Sequence, residues 1–530
     1  MKFNIRLSRL IFIILFAHFG WTGFAQMADL PQQLANTITA GDLRSHLTIL
    51  ASDAMEGRET GTPGQEKAAA YIEQYFQSLG LPPVVNGNAY QQMIAFSAQS
   101  WTTIRLEVNG KSYRHLWEFY AFPSTNSHRP ATEYKEVTFL GYGIDDERYS
   151  DYRGVDVKGK VLLIYSGEPV DKDSISLVTG TRQASDWATN WRRKLEAAHK
   201  YGAAAVLIID GRLQQSINDN RNTLLNPRMQ MGSADEAGAQ YANNLFVSSD
   251  IAKNIVGKKF KKLVKARDKL RKGGKLNALT LPCDLKITQE KTSNSINGSN
   301  VLGYLKGSDP KLRDELVVVS AHYDHLGKRN ASIYNGADDN GSGTSTILEV
   351  AQAFVEAQKM GQGPRRSVLF LLVSGEEKGL LGSQYYAEHP VFPLANTIAN
   401  VNVDMVGRVD AKHAANPNYI YVIGADKLST DLHNINEAAN AKYTHLELDY
   451  TYNDDNDPNR FYYRSDHYNF AERGIPAIFY FNGTHEDYHR TTDDVEKINF
   501  EKMEKIAQLV FHTSWELANR DERIRVDKKP

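Results

Sequence analysis

The sequence predicts an α/β protein whose mostly parallel, twisted sheet is covered by helices on both faces. Strand-like and helix-like segments alternate from about residue 282 to residue 518. The predicted strands are apolar along their whole length: 316–320, 368–373, 398–403 and 477–481. A strand without a polar face is buried on both sides, which is typical of a parallel sheet between two helical layers. The helices of those layers are predicted at 342–358, from Leu380 and from Glu501.

The chain is long enough for two or three domains, and changes in its residue pattern divide it into four parts. It has 530 residues, of which 41% are hydrophobic, and a domain usually takes about 100–200 residues. We predict a signal peptide at 1–25, the first part of the main domain at 26–126, an inserted α/β domain at 127–280, and the remainder of the main domain at 281–530. The inserted segment alternates short strands with turns and has no cluster of histidines and carboxylates. It is therefore predicted to carry no chemistry of its own.

The first residues have the features of an export signal. Lys2, Arg6 and Arg9 precede an apolar run at 10–19, and 23–25 is an acceptable small-residue cleavage site. The apolar run is shorter than the ~20 residues that span a bilayer. The mature chain is therefore predicted to be periplasmic or secreted, with no stable membrane insertion after cleavage.

The composition limits the partners and the compartment. Lys plus Arg (62) nearly equal Asp plus Glu (63), so no nucleic-acid partner is predicted. The basic stretch 257–275 has an apolar stripe beneath its charge and is either a solvated helix face or a site for an anionic surface partner. Cys283 is the only cysteine, which favours a bacterial periplasm or secreted fraction and a buried, apolar role for the thiol.

Residues 28–80 are predicted to be helical around one polar, glycine-rich interruption. Leu43, Leu47 and Leu50 recur at helical spacing before it, and a second helical pattern follows Pro63. The interruption, AMEGRETGTPG, is either a solvated connector or a rim segment of an active site.

Metal-competent side chains follow every predicted apolar strand at its carboxyl end. In chain order they are His322 and Asp324, Asp338 and Asp339, Glu376 and Glu377, Asp404, and His485 and His489. The carboxyl ends of parallel strands meet at one crevice, so these side chains are expected to lie together. Imidazoles and carboxylates without thiolates favour Zn²⁺, with Mn²⁺ or Co²⁺ as alternatives. The donors are too many for one tetrahedral ion, whereas two ions about 3.5–4 Å apart with a shared carboxylate would use them all.

The adjacent pair Glu376-Glu377 indicates hydrolysis. Neighbouring residues at a strand end point in different directions, so one is expected to bind metal and the other to act as general acid/base.

A loose EF-hand pattern runs from Asp338 to Glu349, but a helix is expected to start inside it, which argues against calcium. The Asp-rich segment 454–457 predicts a turn.

These motifs resemble peptidase family M28, the zinc aminopeptidases that include the bacterial leucyl aminopeptidases. The resemblance lies in SAHYDHLG, NGADDNGSG, SGEEKGLLGS, NVDMVG and DYHRTTDD, which occur in the family's order with compatible spacing. It implies a zinc exopeptidase fold with two zinc ions per chain. The segment 127–280, with GKVLLIYSGEP and GAAAVLII, looks like the protease-associated domain that is often inserted in these peptidases.

The resemblance also implies a role for each site residue. The implied metal ligands are His322 and Asp404 for one ion, Glu377 and His489 for the other, and Asp339 as the bridge. On the residues alone, Asp338 is an equal candidate for the bridge. Glu376 would be the general base, and Asp324 would orient His322 through a hydrogen bond. Tyr462, Tyr463 or Arg464 would contact substrate, and His467 is either structural or functional.

The expected function is that of a co-catalytic di-zinc exopeptidase that removes N-terminal residues from peptides. The alternatives are a zinc carboxypeptidase or a glutaminyl cyclase on the same fold, or a peptide-binding protein without catalysis. The inserted segment argues against a cyclase, and the complete ligand set argues against a protein that has lost catalysis. A serine hydrolase is unsupported because no G-x-S-x-G motif occurs. The sequence does not predict the residue preference, the role of the inserted segment or the oligomeric state.

Overall fold

The chain folds into two compact units. The computed structural model describes residues 29–225, 229–232, 240–270 and 278–528. The first unit combines Met1–Ile94 with Gly298–Pro530, and the second unit is Ala95–Asn297. The predicted signal peptide lies outside the described residues. Within those residues, no helix combines the length and the apolar character that crossing a bilayer requires.

The strands of the described residues are numbered here in chain order. They are β1 Gln91–Val108, β2 Lys111–Tyr113, β3 Phe119–Tyr120, β4 Arg129–Phe139, β5 Val161–Tyr165, β6 Ala205–Ile209, β7 Met229–Met231, β8 Asn244–Val247, β9 Leu279–Leu305, β10 Leu316–His322, β11 Gly327–Arg329, β12 Ser332–Tyr334, β13 Ser367–Val373, β14 Thr397–Val403, β15 Tyr419–Ile423, β16 Glu447–Asp449 and β17 Ala477–Phe481.

The α-helices of the described residues are numbered in the same way. They are α1 Leu30–Ala35, α2 Ala40–Leu50, α3 Pro63–Ser78, α4 Asp186–Thr189, α5 Arg192–Lys200, α6 Leu213–Asp219, α7 Arg221–Leu225, α8 Ser249–Val256, α9 Phe260–Leu270, α10 Gly343–Lys359, α11 Leu381–Glu388, α12 Thr430–Ala439, α13 His467–Ala471 and α14 Phe500–Asn519.

The sheet of the first unit has the order β16-β15-β17-β14-β10-β13-β9, with β10 near its centre. β10 pairs in parallel with β13 and with β14, and β14 pairs in parallel with β17. The exceptions are β9 and β15, which run antiparallel to β13 and β17. The predicted mostly parallel sheet is confirmed.

Helices cover both faces of this sheet, and the side chains of β10 alternate between them. Val317 and Val319 pack into the cluster that includes residues of α2, α3, α10 and α14. Leu316 and Val318 pack on the other face, with Tyr386 of α11 and residues of α13. Because strand side chains alternate between faces, a strand between two helical layers must be apolar at every position.

The strands of the second unit have the order β9-β4-β5-β6-β8-β3. β4, β5, β6 and β8 pair in parallel, whereas β9 and β3 are antiparallel edges. On β5, Val161 and Leu163 pack towards α8 and α9, while Leu162 and Ile164 pack towards α4 and α5. Cys283 lies buried among the first of these layers, as expected of a small apolar residue.

The second unit is wider than the predicted insertion. The predicted bounds of 127 and 280 both fall inside Ala95–Asn297. The difference arises because β1 pairs with β2 and β7, and the first half of β9 pairs with β4. Those strands hold the flanking residues in the second unit. The basic stretch supplies α9, whose Leu263 is buried and whose Lys261, Lys262 and Lys265 are exposed.

Candidate metal centre

The predicted ligands meet at the carboxyl ends of neighbouring strands of the first unit. His322 is the last residue of β10, Asp404 follows β14 directly, and the Glu376-Glu377 pair lies just beyond β13. The donor atoms of His322, Glu376 and Asp404 all lie within 4.8 Å of one another. A second group with the same property consists of His325, Asp339 and Glu377.

The first donor group is centred on the Nε2 atom of His322. This atom lies 3.3 Å from Oδ1 of Asp404, 3.5 Å from Oδ1 of Asp339 and 3.9 Å from Oε2 of Glu376. The other carboxylate oxygen of Asp404 accepts a hydrogen bond of 2.8 Å from the Ser465 hydroxyl. His322 is almost completely buried, so its imidazole is fixed in place by packing.

The second donor group contains a histidine that the sequence analysis missed. Nδ1 of His325 lies 2.9 Å from Oε1 of Glu377 and 3.8 Å from Oδ2 of Asp339. Nε2 of His489 lies 3.1 Å from Oδ2 of Asp339 and 3.4 Å from Oε2 of Glu377. The two imidazoles therefore flank the same carboxylates. His325 directly follows the HYD segment, and its position in the loop was the only sequence signal available.

Asp338 and Asp339, the two candidates for a bridge, have different surroundings. Asp338 accepts the backbone N–H of Gly407 and the side-chain amide of Asn482, and its Oδ2 lies 3.2 Å from Nε2 of His485. Of these two aspartates, only Asp339 contacts His322 of the first donor group and also His489 on the side of the second. The arrangement thus favours Asp339 as the shared carboxylate and gives Asp338 and His485 a structural role.

Asp493 fixes the loop that carries this aspartate pair. Its carboxylate accepts the backbone N–H groups of Asp338 and of Asp339, with N–O distances of 3.0–3.1 Å. The loop turns irregularly at Ala337–Ser342 and continues into α10. The backbone before α10 is therefore held by a buried carboxylate rather than by solvent.

Asp324 contacts the site in a way that differs from the expected one. Nδ1 of His322 lies 3.1 Å from the backbone carbonyl oxygen of Asp324 and 3.8 Å from its carboxylate. The carboxylate instead accepts the backbone N–H of Glu376 at 3.2 Å and the hydroxyl of Thr60 at 2.7 Å. The backbone of Asp324 thus orients the imidazole, and its side chain positions the Glu376 loop.

The two adjacent glutamates have opposite electrostatic environments. Burial, reinforced by the carboxylates of Asp404 and Glu377, raises the pKa of Glu376 well above its ordinary value. Burial also acts on Glu377, but the contacts with His325 and His489 outweigh it and hold the pKa of this carboxyl well below its ordinary value. The carboxyl of Glu376 therefore retains a proton more readily than that of Glu377.

A small cleft lined by both apolar and polar side chains lies at the donor atoms. Its floor is formed by His322, Asp339, Glu376 and Asp404, and its walls include Met405, Phe461, Phe479, Phe481 and Tyr488. Arg464, a predicted substrate contact, lines this cleft with Nη2 3.4 Å from the hydroxyl of Tyr488.

The other predicted substrate contacts lie beside the cleft lining. The ring of Tyr462 packs against His467, and the ammonium of Lys427 lies 5.5 Å from the ring centroid. Tyr463 is 44% exposed and packs against Tyr468. His467 is buried and stacks on Phe479, so its surroundings are those of a structural histidine.

The EF-hand-like pattern that ends at Glu349 and the Asp-rich segment 454–457 both have structural roles. Glu349 lies buried on α10, where its Oε1 is 3.0 Å from Nε2 of His46. Asp457 accepts the backbone N–H groups of Asn459 and Phe461 and so forms the predicted turn. Neither arrangement is a calcium loop.

Comparison with known proteins identifies the part of the chain that carries the donor groups. Residues 300–514 match the sequence model of Peptidase family M28. The sequence of these residues is therefore similar to that family. The matched residues contain both donor groups, including Glu376.

The chain is also similar to curated proteins. A probable leucine aminopeptidase of Trichophyton verrucosum is 32% identical over 216 residues, which are 39% of this chain and 56% of the relative. Aminopeptidase YwaD of Bacillus subtilis is 29% identical over 237 residues, 43% of this chain and 47% of the relative. The chain thus spans about half the length of these relatives.

A solved structure shares the fold over most of the chain. An aminopeptidase from Aneurinibacillus sp. strain AM-1 superposes with a TM-score of 0.50 over 94% of this chain and 98% of that chain. The sequences are 20% identical, so this likeness concerns the fold alone.

Proposed function

We propose that this protein is a zinc-dependent aminopeptidase that hydrolyses N-terminal residues from peptides. The observation that carries the proposal is the meeting of two donor groups around Asp339, one of which includes Glu376, at a cleft. The match of residues 300–514 to family M28 supports the same reaction class, as do the aminopeptidase relatives.

The chemistry of the donor set supports zinc. The imidazoles and carboxylates at the cleft floor, without a thiolate, are suitable ligands for Zn²⁺. Several buried carboxylates at these distances repel one another, and bound cations would remove that repulsion. We propose two ions, held by His322 and Asp404 on one side and by Glu377 and His489 on the other. Asp339 would be shared between them.

His325 and Glu376 are assigned other roles. Nδ1 of His325 lies 2.9 Å from Oε1 of Glu377, and neither atom has a hydrogen-bond partner within the described residues. We propose that the imidazole packs against the ligating carboxylate and fixes its position by this contact. Glu376, whose carboxyl favours protonation, would remain free as the general base. Bound zinc supplies a lowered pKa for the attacking water and polarisation of the scissile carbonyl.

Glu376 would carry the proton through the reaction. Its carboxylate takes a proton from the attacking water as the oxygen bonds to the carbonyl carbon. The same carboxyl then delivers that proton to the leaving nitrogen as the peptide C–N bond breaks. The apolar walls at Met405 and Phe461 favour a substrate with an apolar N-terminal side chain.

The test is a mass-resolved digest of defined peptides by the zinc-loaded protein. The mixture contains peptides with free N-termini, acetylated N-termini and N-terminal glutamine. Stepwise shortening of free N-termini alone is expected, fastest for apolar residues, and the Glu376→Gln variant should lack it. Shortening from the carboxyl end, loss of ammonia without shortening, or binding without any change of mass would instead indicate a carboxypeptidase, a cyclase or a binding protein.

Export and the identity of the second unit are further proposals. The features of 1–25 support export to the periplasm or the medium. The parallel α/β sheet of Ala95–Asn297 is compatible with a protease-associated domain. Peptides are the proposed substrates, and no nucleic-acid partner is proposed.

A further inference from the structure

We infer that Arg58 is a positioning residue that fixes the backbone of two ligand-bearing loops and thereby sets the metal affinity of the site. Arg58 lies in the glycine-rich segment AMEGRETGTPG, far from the ligands in sequence. The inference rests on the proposed function, because it assigns the residue's role towards the proposed metal ions. It concerns a part of the chain outside the residues 300–514 that match the family.

The guanidinium of Arg58 joins segments that are distant in sequence. Nε donates to the carbonyl oxygen of Tyr323 at 2.8 Å, between His322 and Asp324. Nη1 donates to the carbonyl of Asn335 at 2.7 Å, and Nη2 donates to that of Gly336 at 2.8 Å, just before the aspartate pair. One side chain thus clamps the end of β10 to the loop that carries Asp339.

The clamp is also anchored to the helical layer. Nη1 of Arg58 makes a further bond of 2.6 Å to the carbonyl of Leu50, the last residue of α2. In return, the backbone carbonyl of Arg58 accepts the N–H of His325 at 3.3 Å. Two residues later, Thr60 donates to the carboxylate of Asp324. The segment therefore contacts His325 of the second donor group and the residues that directly follow His322 of the first, without supplying a proposed ligand.

These contacts need an arginine. The guanidinium has five N–H donors in a rigid fork, whereas a lysine ammonium has three donors on a single atom. The four carbonyls lie on three separate segments, so one ammonium nitrogen cannot reach them all. Burial lowers the pKa of Arg58 to about 10, while the carboxylates of Asp339, Asp493 and Asp324 oppose that effect. A side chain that is 1% exposed therefore remains a cation beside the carboxylates.

The backbone of the segment is strained in order to deliver this side chain. Glu56 and Arg58 both have φ of 51°, a left-handed conformation that is unfavourable for a residue other than glycine. Between them, a Cβ on Gly57 would lie 2.4 Å from the carbonyl oxygen of Tyr334 and 2.5 Å from that of Gly327. Only glycine permits so close an approach to β11 and β12. Such strain persists where the surrounding contacts enforce it.

Arg366 offers a matched control in the same unit. It is also completely buried, and it donates to the carboxylate of Glu315 and to the carbonyls of Leu517, Arg520 and Asp521. It precedes β13, whereas the donor groups lie beyond the other end of that strand, about 20 Å away at 3.3 Å per residue. Loss of either guanidinium should destabilise the fold, but only Arg58 contacts the ligand loops.

The experiment compares zinc binding by the metal-free wild type, Arg58→Lys and Arg366→Lys, using competition with a chromogenic chelator. Thermal unfolding of the metal-free proteins is measured in parallel. Arg58→Lys is expected to lower zinc affinity about 10–100-fold, and Arg366→Lys is expected to lower only the melting temperature. Equal zinc affinities in Arg58→Lys and wild type would overturn the inference while leaving the proposed function intact. A wild type that binds no zinc would overturn both.

A second variant covers the case in which Arg58→Lys does not fold. Arg58→Ala leaves a cavity that is the size of a guanidinium group, which millimolar guanidinium chloride can fill. Zinc affinity should rise towards the wild-type value with added guanidinium and not with the same concentration of sodium chloride. Absence of this rescue in a folded variant would contradict the positioning role.

Discussion

At the scale of single residues, the division of labour between Glu376 and Glu377 follows from their neighbours. The two share a peptide bond, yet Glu377 lies between His325 and His489, whereas Glu376 faces the carboxylate of Asp404. Their pKa values are shifted in opposite directions. Adjacent carboxyls with pKa values pushed apart are how acid/base and ligand roles are separated in an active site.

Replacement of these glutamates should separate catalysis from metal binding. Glu376→Gln removes the proton carrier but no proposed ligand, so zinc stoichiometry should stay at the wild-type value while turnover falls about 10²–10⁴-fold. Glu377→Gln should reduce zinc binding itself. Elemental analysis and initial rates on one peptide distinguish the two variants. Turnover retained by Glu376→Gln would remove it from the base role.

The residues that could be predicted from the sequence are those with a metal-binding side chain at the end of an apolar strand. His322, Asp339, Glu376, Glu377, Asp404 and His489 could be named because each follows an apolar strand and carries a metal-competent group. Arg58 could not be named, since its partner Tyr323 is 265 positions away and its bonds go to backbone carbonyls, which have no sequence signature. The role of such a residue depends on how a loop packs after folding.

At the scale of elements, a chain of hydrogen bonds connects β14 of the sheet to the proposed ligand Asp404. Within the sheet, the amide of Asn402 accepts the Ser320 hydroxyl at 2.8 Å and donates to Ser465 at 2.9 Å. Ser465 donates in turn to Asp404 at 2.8 Å. This buried relay links β10, β14 and the loop before α13. Buried networks of this kind fix orientation when every member is satisfied.

Removal of one hydroxyl should weaken zinc binding. Ser465→Ala deprives Asp404 of its donor, so zinc affinity should fall about tenfold, the lower end of the range for partners of ligands. Ser514→Ala is the matched control, because Ser514 is completely buried and its hydroxyl has no hydrogen-bond partner within the described residues. The same loss of zinc affinity in both variants would contradict the relay.

The helix α5 of the second unit carries a buried amine whose protonation should affect stability. Lys194 is 1% exposed and donates to the carbonyls of Tyr142 and Gly167. Burial lowers its pKa to about 7, against the attraction of Asp151 and Glu168. In the unfolded chain the amine keeps its proton up to about pH 10.5. Between these values the unfolded state binds more protons, so the free energy of unfolding rises with pH.

This linkage predicts a pH-dependent difference between two lysine variants. Relative to Lys194→Met, the wild type should gain roughly 1–3 kcal/mol of stability between pH 7 and pH 9.5. Lys200 lies at the exposed end of α5. Relative to Lys200→Met, the wild type should gain no stability over the same pH range. Denaturant unfolding across this pH range measures the slopes. Parallel slopes for wild type and Lys194→Met would show that Lys194 does not titrate there.

At the scale of the whole molecule, the architecture was predictable but the division of the chain was less so. Continuous apolar strands identified the parallel sheet, because burial on both faces leaves no other pattern. The strands β1 and β9 contribute residues to both units, with 18 and 27 residues. In β9 the burial alternates from residue 279 to residue 287 and becomes continuous from residue 298 to residue 303, where the first unit resumes. This change arises from packing in the folded chain, so the boundary could not be placed before folding was known.

The division of the chain predicts that the metal site survives removal of the second unit. All proposed ligands and Arg58 belong to the first unit. The ends left by deletion of 95–297 lie side by side, since Gln91 accepts a hydrogen bond from Ser299 at 2.9 Å and Gln92 accepts one from Asn300 at 3.0 Å. A short glycine-serine linker can therefore join Ile94 to Gly298 without moving β9.

The shortened protein should bind zinc with the wild-type stoichiometry while its rates on long and short peptides change relative to each other. Circular dichroism reports whether the first unit is folded, and chelator competition reports the metal. A folded, shortened protein that binds no zinc would mean that the second unit contributes to the site, and the partition at 95 and 297 would be wrong. Retained zinc binding with unchanged peptide rates would confine the role of the second unit to something other than substrate handling.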